Sequence, residues 1–220
     1  MTATEDLKTE HTADRSKLVW VAIATGLALW FAVIFTLASR GAFQVPLGTP
    51  PLPTMLAVAL PVAGFLGFYV TSTGVRDFVD RIDLRLLTVI HAWRTVGFSF
   101  IVLHLMGALP GLFAWPAGLG DISIAVTAPY IAWRLGAKPE FAASRRFAAW
   151  HAVGILDFVV AVGTGALSSG GFAAIYQPAV TMAPTTVMPL ILIPGFFVPL
   201  FTITHLAAIL KSRRLARDTA

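Results

Sequence analysis

Six long apolar stretches, separated by short segments that hold nearly all the basic residues, constrain this chain more than any motif in it. The stretches are Leu18–Ala38, Leu52–Thr73, Leu86–Leu109, Gly118–Leu135, Arg146–Leu167 and Met188–Leu210. At 1.5 Å per residue, about 20 apolar residues cross roughly 30 Å of hydrocarbon as a helix. Lipid offers the backbone no hydrogen bonds, so each crossing must satisfy its own. The predicted fold is all-α: an integral membrane bundle of six transmembrane helices. The composition agrees, with 57% apolar and 12% charged residues, too little charge to cover a soluble domain.

The positions of the charges decide what the net charge of +5 means. Of 16 Lys and Arg, all but Arg40 and Arg94 fall in four clusters: residues 8–17, 76–85, 134–146 and 211–217. These clusters alternate with uncharged connections, which predicts an N-in/C-in topology under the positive-inside rule. The basic balance is thus a topology signal, and no nucleic-acid partner is expected. Residues 1–17 read as a polar, mobile cytoplasmic leader, 18–211 as a single six-helix membrane domain, and 212–220 as a cytoplasmic basic tail. The first apolar run is longer than the roughly 7–15 residues of a cleavable signal, so it is expected to be retained. The chain contains no Cys, which excludes disulfides, iron–sulfur ligation and covalently attached haem.

Between the second and third stretches, Val75, Phe78, Val79 and Ile82 recur at helical spacing among charges. That pattern predicts a short helix lying on the cytoplasmic face. The opposite connections, 44–53, 110–117 and 168–187, carry no charge and are expected to dip toward the membrane. Pro194, Gly195 and Pro199 predict a kinked or unwound sixth helix, because each proline leaves a carbonyl without its donor. Discontinuous helices of this kind line transporter sites. A repeat is also visible. Ala92–Gly97 (AWRTVG) aligns with Ala149–Gly154 (AWHAVG) at a spacing of 57, and Gly107–Leu109 with Gly165–Leu167 at a spacing of 58. The bundle is thus a candidate for repeated helical hairpins.

An ionisable group inside a span costs about 2.5–3.5 kcal/mol at the membrane centre, so each needs a partner or a purpose. Counting about 1.5 Å per residue from the cytoplasmic ends puts Arg94 about 12 Å deep and Asp157 about 17 Å deep. The two are predicted to pair, either as a fixed tie between helices or as a substrate or proton site. His91, His151 and His205 share a shallower depth on three helices and are candidates for a metal or a haem b iron. His151 and Asp157, six residues apart, do not share one face. Asp121 is placed in the first turn of the fourth helix, where a carboxylate complements the dipole and the free N–H groups. With His104 near the outer end of the third helix, it is also a candidate for an outer mouth.

Two segments carry a resemblance. Arg94-x-x-Gly97-x-x-Phe100, followed by Gly107-x-Leu109-Pro110-x-x-Phe113-Ala114-x-Pro116-Ala117-Gly118-x-Gly120-Asp121, resembles the signature of an uncharacterised family of bacterial multi-pass membrane proteins. His151 with Asp157, and Pro194 to His205 (P-x-F-x-V-P-L, then His), are similar to later parts of that pattern, which has Asn more often at the position of His151. The resemblance covers about residues 86–210 and implies a bacterial cytoplasmic (inner) membrane location and no particular activity. No nucleotide loop, nucleophile elbow, HExxH or paired catalytic carboxylates occur. The leading expectation is a small-solute or proton-coupled transporter or permease, with Arg94, Asp157, His151, His205 and Asp121 as its substrate- or proton-binding residues and no cofactor. The alternatives are a haem- or metal-binding membrane oxidoreductase using His91, His151 and His205, and an accessory subunit of a membrane complex. Its partners would be the bilayer, a small solute or proton, and a second copy or another membrane subunit.

Overall fold

The computed structural model describes residues 3–46, 48–172 and 175–218, with the side chains of 3–17 and 19 left undescribed. All its regular structure is helical, and no strand occurs among the described residues. Six helices are long and apolar enough to cross a membrane. In chain order these are α1 (Ala3–Ser39), α2 (Leu52–Thr71), a composite third span over Leu84–Leu105, α6 (Gly111–Ala137), α7 (Arg145–Leu167) and a sixth over Ile193–Asp218. The third span joins α4 (Leu84–Val89) and α5 (Phe98–Leu105) through a 3₁₀ segment, Ile90–Gly97. The sixth begins with a π-helical turn, Ile193–Phe197, and continues as α8 (Val198–Asp218).

Several boundaries differ from those read in the sequence. The polar leader is not separate from the first span, since α1 runs back without a break to Ala3. The connection expected over Pro110–Ala117 is itself helical. α6 starts at Gly111 and passes through Pro116, because membrane helices tolerate the donor that proline removes. The basic C-terminal segment is also helical, through Asp218, and is anchored rather than free. Ser212 Oγ donates to the Ala142 carbonyl at 2.6 Å, Lys211 Nζ to the Ile82 carbonyl at 2.7 Å, and Arg214 pairs with Asp80 at 2.7 Å. Residues 219–220 of that segment, and Met1 and Thr2 of the leader, lie outside the described residues.

The amphipathic helix expected before the third span is present as α3 (Thr73–Arg81). Ser72 caps it, accepting from the Val75 N–H at 3.4 Å, and its apolar edge buries Val79 against Phe141, Phe147 and Leu84. That cluster closes one end of the bundle, which also holds the 138–144 turn and the end of α8. The connections 40–51, whose one charged residue is Arg40, and 168–192 meet at the opposite end, where Gly171 lies against the backbone of Thr49 and Pro50.

Between these ends the helices approach closely because α6 presents small residues. Ala114, Ala117, Gly118, Ala125, Ala128 and Ala132 are buried along it. In lipid, close contact of this kind replaces the hydrophobic drive as the force between helices. The third span and α7 both pack against α6, and α8 packs against α7 and α2. The two units of the sequence repeat wind differently, Ala92–Gly97 in 3₁₀ form and Ala149–Gly154 as α-helix.

The Cys-free chain allows a direct test of topology. Single variants Gln44→Cys and Asp77→Cys should react with an impermeant maleimide from opposite sides of the membrane, Gln44→Cys from outside and Asp77→Cys from inside. Labelling of both from the same side would break the six-span arrangement.

Candidate functional site

The 3₁₀ segment builds the site. At three residues per turn, side chains three apart eclipse one another, and Thr88, His91, Arg94, Gly97 and Phe100 are buried in one line. Of the residues between them, Val89, Trp93, Val96 and Phe98 are exposed. An α-helix would have swung each successive member of that line away by about 60°, since three residues span 300° at 3.6 per turn.

Arg94 occupies the middle of the line, and its side chain is 1% exposed. Its Nε donates to Asp121 Oδ1 at 2.7 Å and its Nη2 to Asp157 Oδ2. Nη1 reaches the Gly154 carbonyl at 3.4 Å and His205 Nε2 at 3.2 Å. The guanidinium carbon also lies 3.9 Å from the centre of the Phe158 ring. One cation therefore gathers groups from α6, α7 and α8, and every guanidinium nitrogen is engaged. The pairing of Arg94 with Asp157 is the one expected from their depths. Asp121, by contrast, is not in the first turn of α6. It is ten residues past the helix start at Gly111, because the helix begins earlier than the apolar pattern suggested. It pairs with Arg94 instead of capping the helix. His104 stays apart from it: its Nδ1 is 2.9 Å from the Leu109 carbonyl, at the turn into α6.

Arginine is a donor only, and this determines the proton positions along the histidines. His205 Nε2 must accept from Arg94, so its proton sits on Nδ1, which donates to His151 Nδ1 at 2.8 Å. His151 then carries its proton on Nε2, which has no partner. Thr204 Oγ1 gives its hydrogen to the Phe201 carbonyl at 2.8 Å and accepts from His91 Nε2 at 3.3 Å. His91 Nδ1 is left as a buried acceptor, also without a partner. His151 and Asp157, though on different faces of α7, thus belong to one network joined through Arg94 and His205.

The three imidazoles have ligand atoms within 4.8 Å of one another, close enough to gather round an ion. Their orientation is a different matter. A ring nitrogen's lone pair lies in the ring plane, and the His91 and His205 rings are stacked at 3.7 Å and 9°. An ion held at about 2.0–2.1 Å in the plane of one ring is out of reach of the other. A metal centre here would need one ring to leave the stack and give up its hydrogen bond. No slot for a macrocycle separates the rings, which touch each other, Phe147 and Trp150.

Glycines make the ion pairs possible. A Cβ at Gly97 would land on the Asp121 carboxyl, one at Gly120 on the Asp157 carboxyl, and one at Gly154 on the His205 ring. Gly118 lets α6 approach Ile101 and the Gly97 carbonyl. Gly97 and Gly120 of the sequence signature are therefore the notches into which the two carboxyls fit.

Beside this network is a cavity of about 650 Å³, within the usual range for small-molecule sites. Arg94 and Asp121 lie on its wall with Gly97. It extends toward the meeting loops, past Gln44, Thr54, Thr181 and Thr185, and none of the three buried histidines lines it. Sequence reasoning did not find this space. Its lining comes from Met55 on α2, Phe113 on α6 and Phe197 in the π-turn, residues that no local pattern connects.

Residues 51–212 match the family described as a domain of unknown function, DUF8737, and the chain belongs to that family. Comparison with curated proteins found no match. Comparison with solved structures found none either.

Two stability outcomes follow from the packing. Gly120→Ala should destabilise the protein by about 1–3 kcal/mol by forcing the Asp157 carboxyl aside, whereas Gly64→Ala on α2, with nothing within 4 Å, should be neutral or stabilising by about 0.5–1 kcal/mol. Thermal unfolding in detergent reads both. Arg94→Leu should cost about 3–5 kcal/mol by stranding two carboxylates. Restoring much of that loss should require neutralising both Asp121 and Asp157; neutralising Asp157 alone should leave the larger part.

Proposed function

We propose that this protein is a small-solute transporter of the inner membrane whose substrate movement is coupled to protons. The observation that carries this reading is the charge count of the ionic cluster beside the cavity, of which Arg94 and Asp121 lie on the wall. Two carboxylates, Asp121 and Asp157, share one guanidinium. One negative charge therefore has no cationic partner among the described side chains of the cluster. An uncompensated charge inside a membrane protein is costly, so a proton or a cationic solute completes the site. A group that must hold one or the other, beside a space of solute size, is what exchange of a proton for a solute requires.

The rest of the architecture supports the same reading. The cavity reaches from the loop end to the ionic cluster, and the packed residues around Phe147 and Val79 close the other end. The π-turn at Ile193–Phe197 opens the helix that forms one wall, and π-turns recur at functional sites. A site that extends toward one end and is sealed at the other fits one of the two forms that alternating access interconverts.

The test is flux in proteoliposomes loaded with a pH-sensitive dye and exposed to a panel of small solutes. A solute-dependent proton flux should appear with the natural protein and vanish in Asp121→Asn and Asp157→Asn. Flux that is indifferent to the pH gradient, or that survives both substitutions, overturns the proton coupling.

A further inference from the structure

The chemistry of the cavity wall narrows the solute to one class. Arg94 and Asp121 are the charged residues on it, and every other lining residue is uncharged. They are not equally available. The Arg94 side chain is 1% exposed, with all its nitrogens engaged, while that of Asp121 is 13% exposed. Asp121 gives Oδ1 to Arg94, and its Oδ2 has no hydrogen-bond partner among the described residues. From inside the cavity, the wall therefore presents a carboxylate oxygen and hides the cation behind it.

Most of the remaining wall is aromatic and aliphatic, with Gln44, Thr54, Thr181 and Thr185 toward the loop end. Trp93, Phe100, Phe113, Phe197 and Phe201 contribute rings, whose faces attract organic cations, while Arg94 already lies over Phe158. An anion would meet the Asp121 charge and a guanidinium already holding two carboxylates. A neutral solute would leave the odd negative charge as it was. The route in is also indicated. Trp93 and Val96 line the cavity yet are 66% and 47% exposed on the outer surface of the third span. The cavity thus reaches the flank of the bundle that lipid covers.

We propose that the cavity receives a small amphiphilic monocation, its ammonium group set against Asp121 and its apolar part among the aromatic rings, entering from the lipid side past Trp93 and Val96. This assigns a substrate class to the cavity and rests on the transporter reading for its purpose. The groups facing Asp121 are Arg94 from the third span, Asp157 from α7 and, behind Arg94, His205 from α8 with His151 and His91. Among them the cation takes the place of one proton: ammonium enters, one proton leaves, and the charge of the cluster is unchanged.

The experiment uses three probes sharing one ring: benzyltrimethylammonium, benzoate and benzyl alcohol. Each is titrated against the full-length protein in detergent, with thermal unfolding as the readout. The cation alone should give a saturable rise in unfolding temperature, and its affinity should fall at least about tenfold in Asp121→Asn, or about 1.4 kcal/mol. Should that variant fold poorly, calorimetry on the natural protein in two buffers of different ionisation enthalpy should read close to one proton released per cation bound. Stabilisation by benzoate, undiminished cation binding to Asp121→Asn, or no response to the cation each overturns the proposal. Binding and transport fail separately. Cation binding without flux in proteoliposomes sinks the transporter reading alone, and pH-driven flux of an anion sinks the substrate class alone.

Discussion

A single buried guanidinium organises this bundle. Arg94 sits among helices long and apolar enough to cross a membrane, with its side chain almost wholly withdrawn from solvent, and a charge at a membrane centre costs about 2.5–3.5 kcal/mol on insertion scales. That cost is offset because the group is met from three directions, by Asp121 on α6, by Asp157 and the Gly154 carbonyl on α7, and by His205 on α8. Buried ion pairs are weak evidence for net stability. Their effect here is better described as selection of one packing. Apolar helices in lipid can slide and rotate against each other with small penalties, whereas moving the third span, α6 or α7 strands a charge and moving α8 withdraws the His205 acceptor.

The tight fit of that cluster requires both the winding of the third span and the absence of side chains at particular places. The 3₁₀ segment keeps His91, Arg94 and Gly97 in line, and the glycines at 97, 120 and 154 remove the atoms that would occupy the positions of two carboxyls and an imidazole. His91 and His205 fill the space below by stacking face to face. The histidine chain therefore supports the guanidinium from the side away from the cavity, which leaves Asp121 facing the open space. Polarity on one side and sealing on the other result from the same set of contacts.

Much of this was legible in the sequence, for reasons that can be named. Apolar run length revealed the six candidate spans because nothing else in a protein needs about 20 consecutive apolar residues. Depth counting brought Arg94 to Asp157 because both are counted from a charged boundary, and the steeper 3₁₀ rise before Arg94 changes its depth by only about 2 Å. The same counting failed for Asp121, since Gly118 looked like a start after Pro116 and the helix in fact begins at Gly111. The signal for the 3₁₀ winding was present as Thr88, His91, Arg94, Gly97 and Phe100 at intervals of three, with large apolar residues between them. Residues at intervals of three also share a face in an α-helix, so the spacing alone does not distinguish the two windings. The cavity left no local trace, because an empty volume is defined by elements that meet only in the folded chain.

The winding of Ile90–Gly97 has a mechanical consequence. A 3₁₀ helix advances about 2.0 Å and turns 120° per residue, against 1.5 Å and 100° for an α-helix. Rewinding the four steps from Ile90 to Arg94 would turn the arginine through about 80° and draw it back by about 2 Å, with no movement of α4 itself. The third span is in this sense a screw with two threads. The guanidinium is the part that registers which thread is engaged, and Asp121 and Asp157 hold it only on one of them.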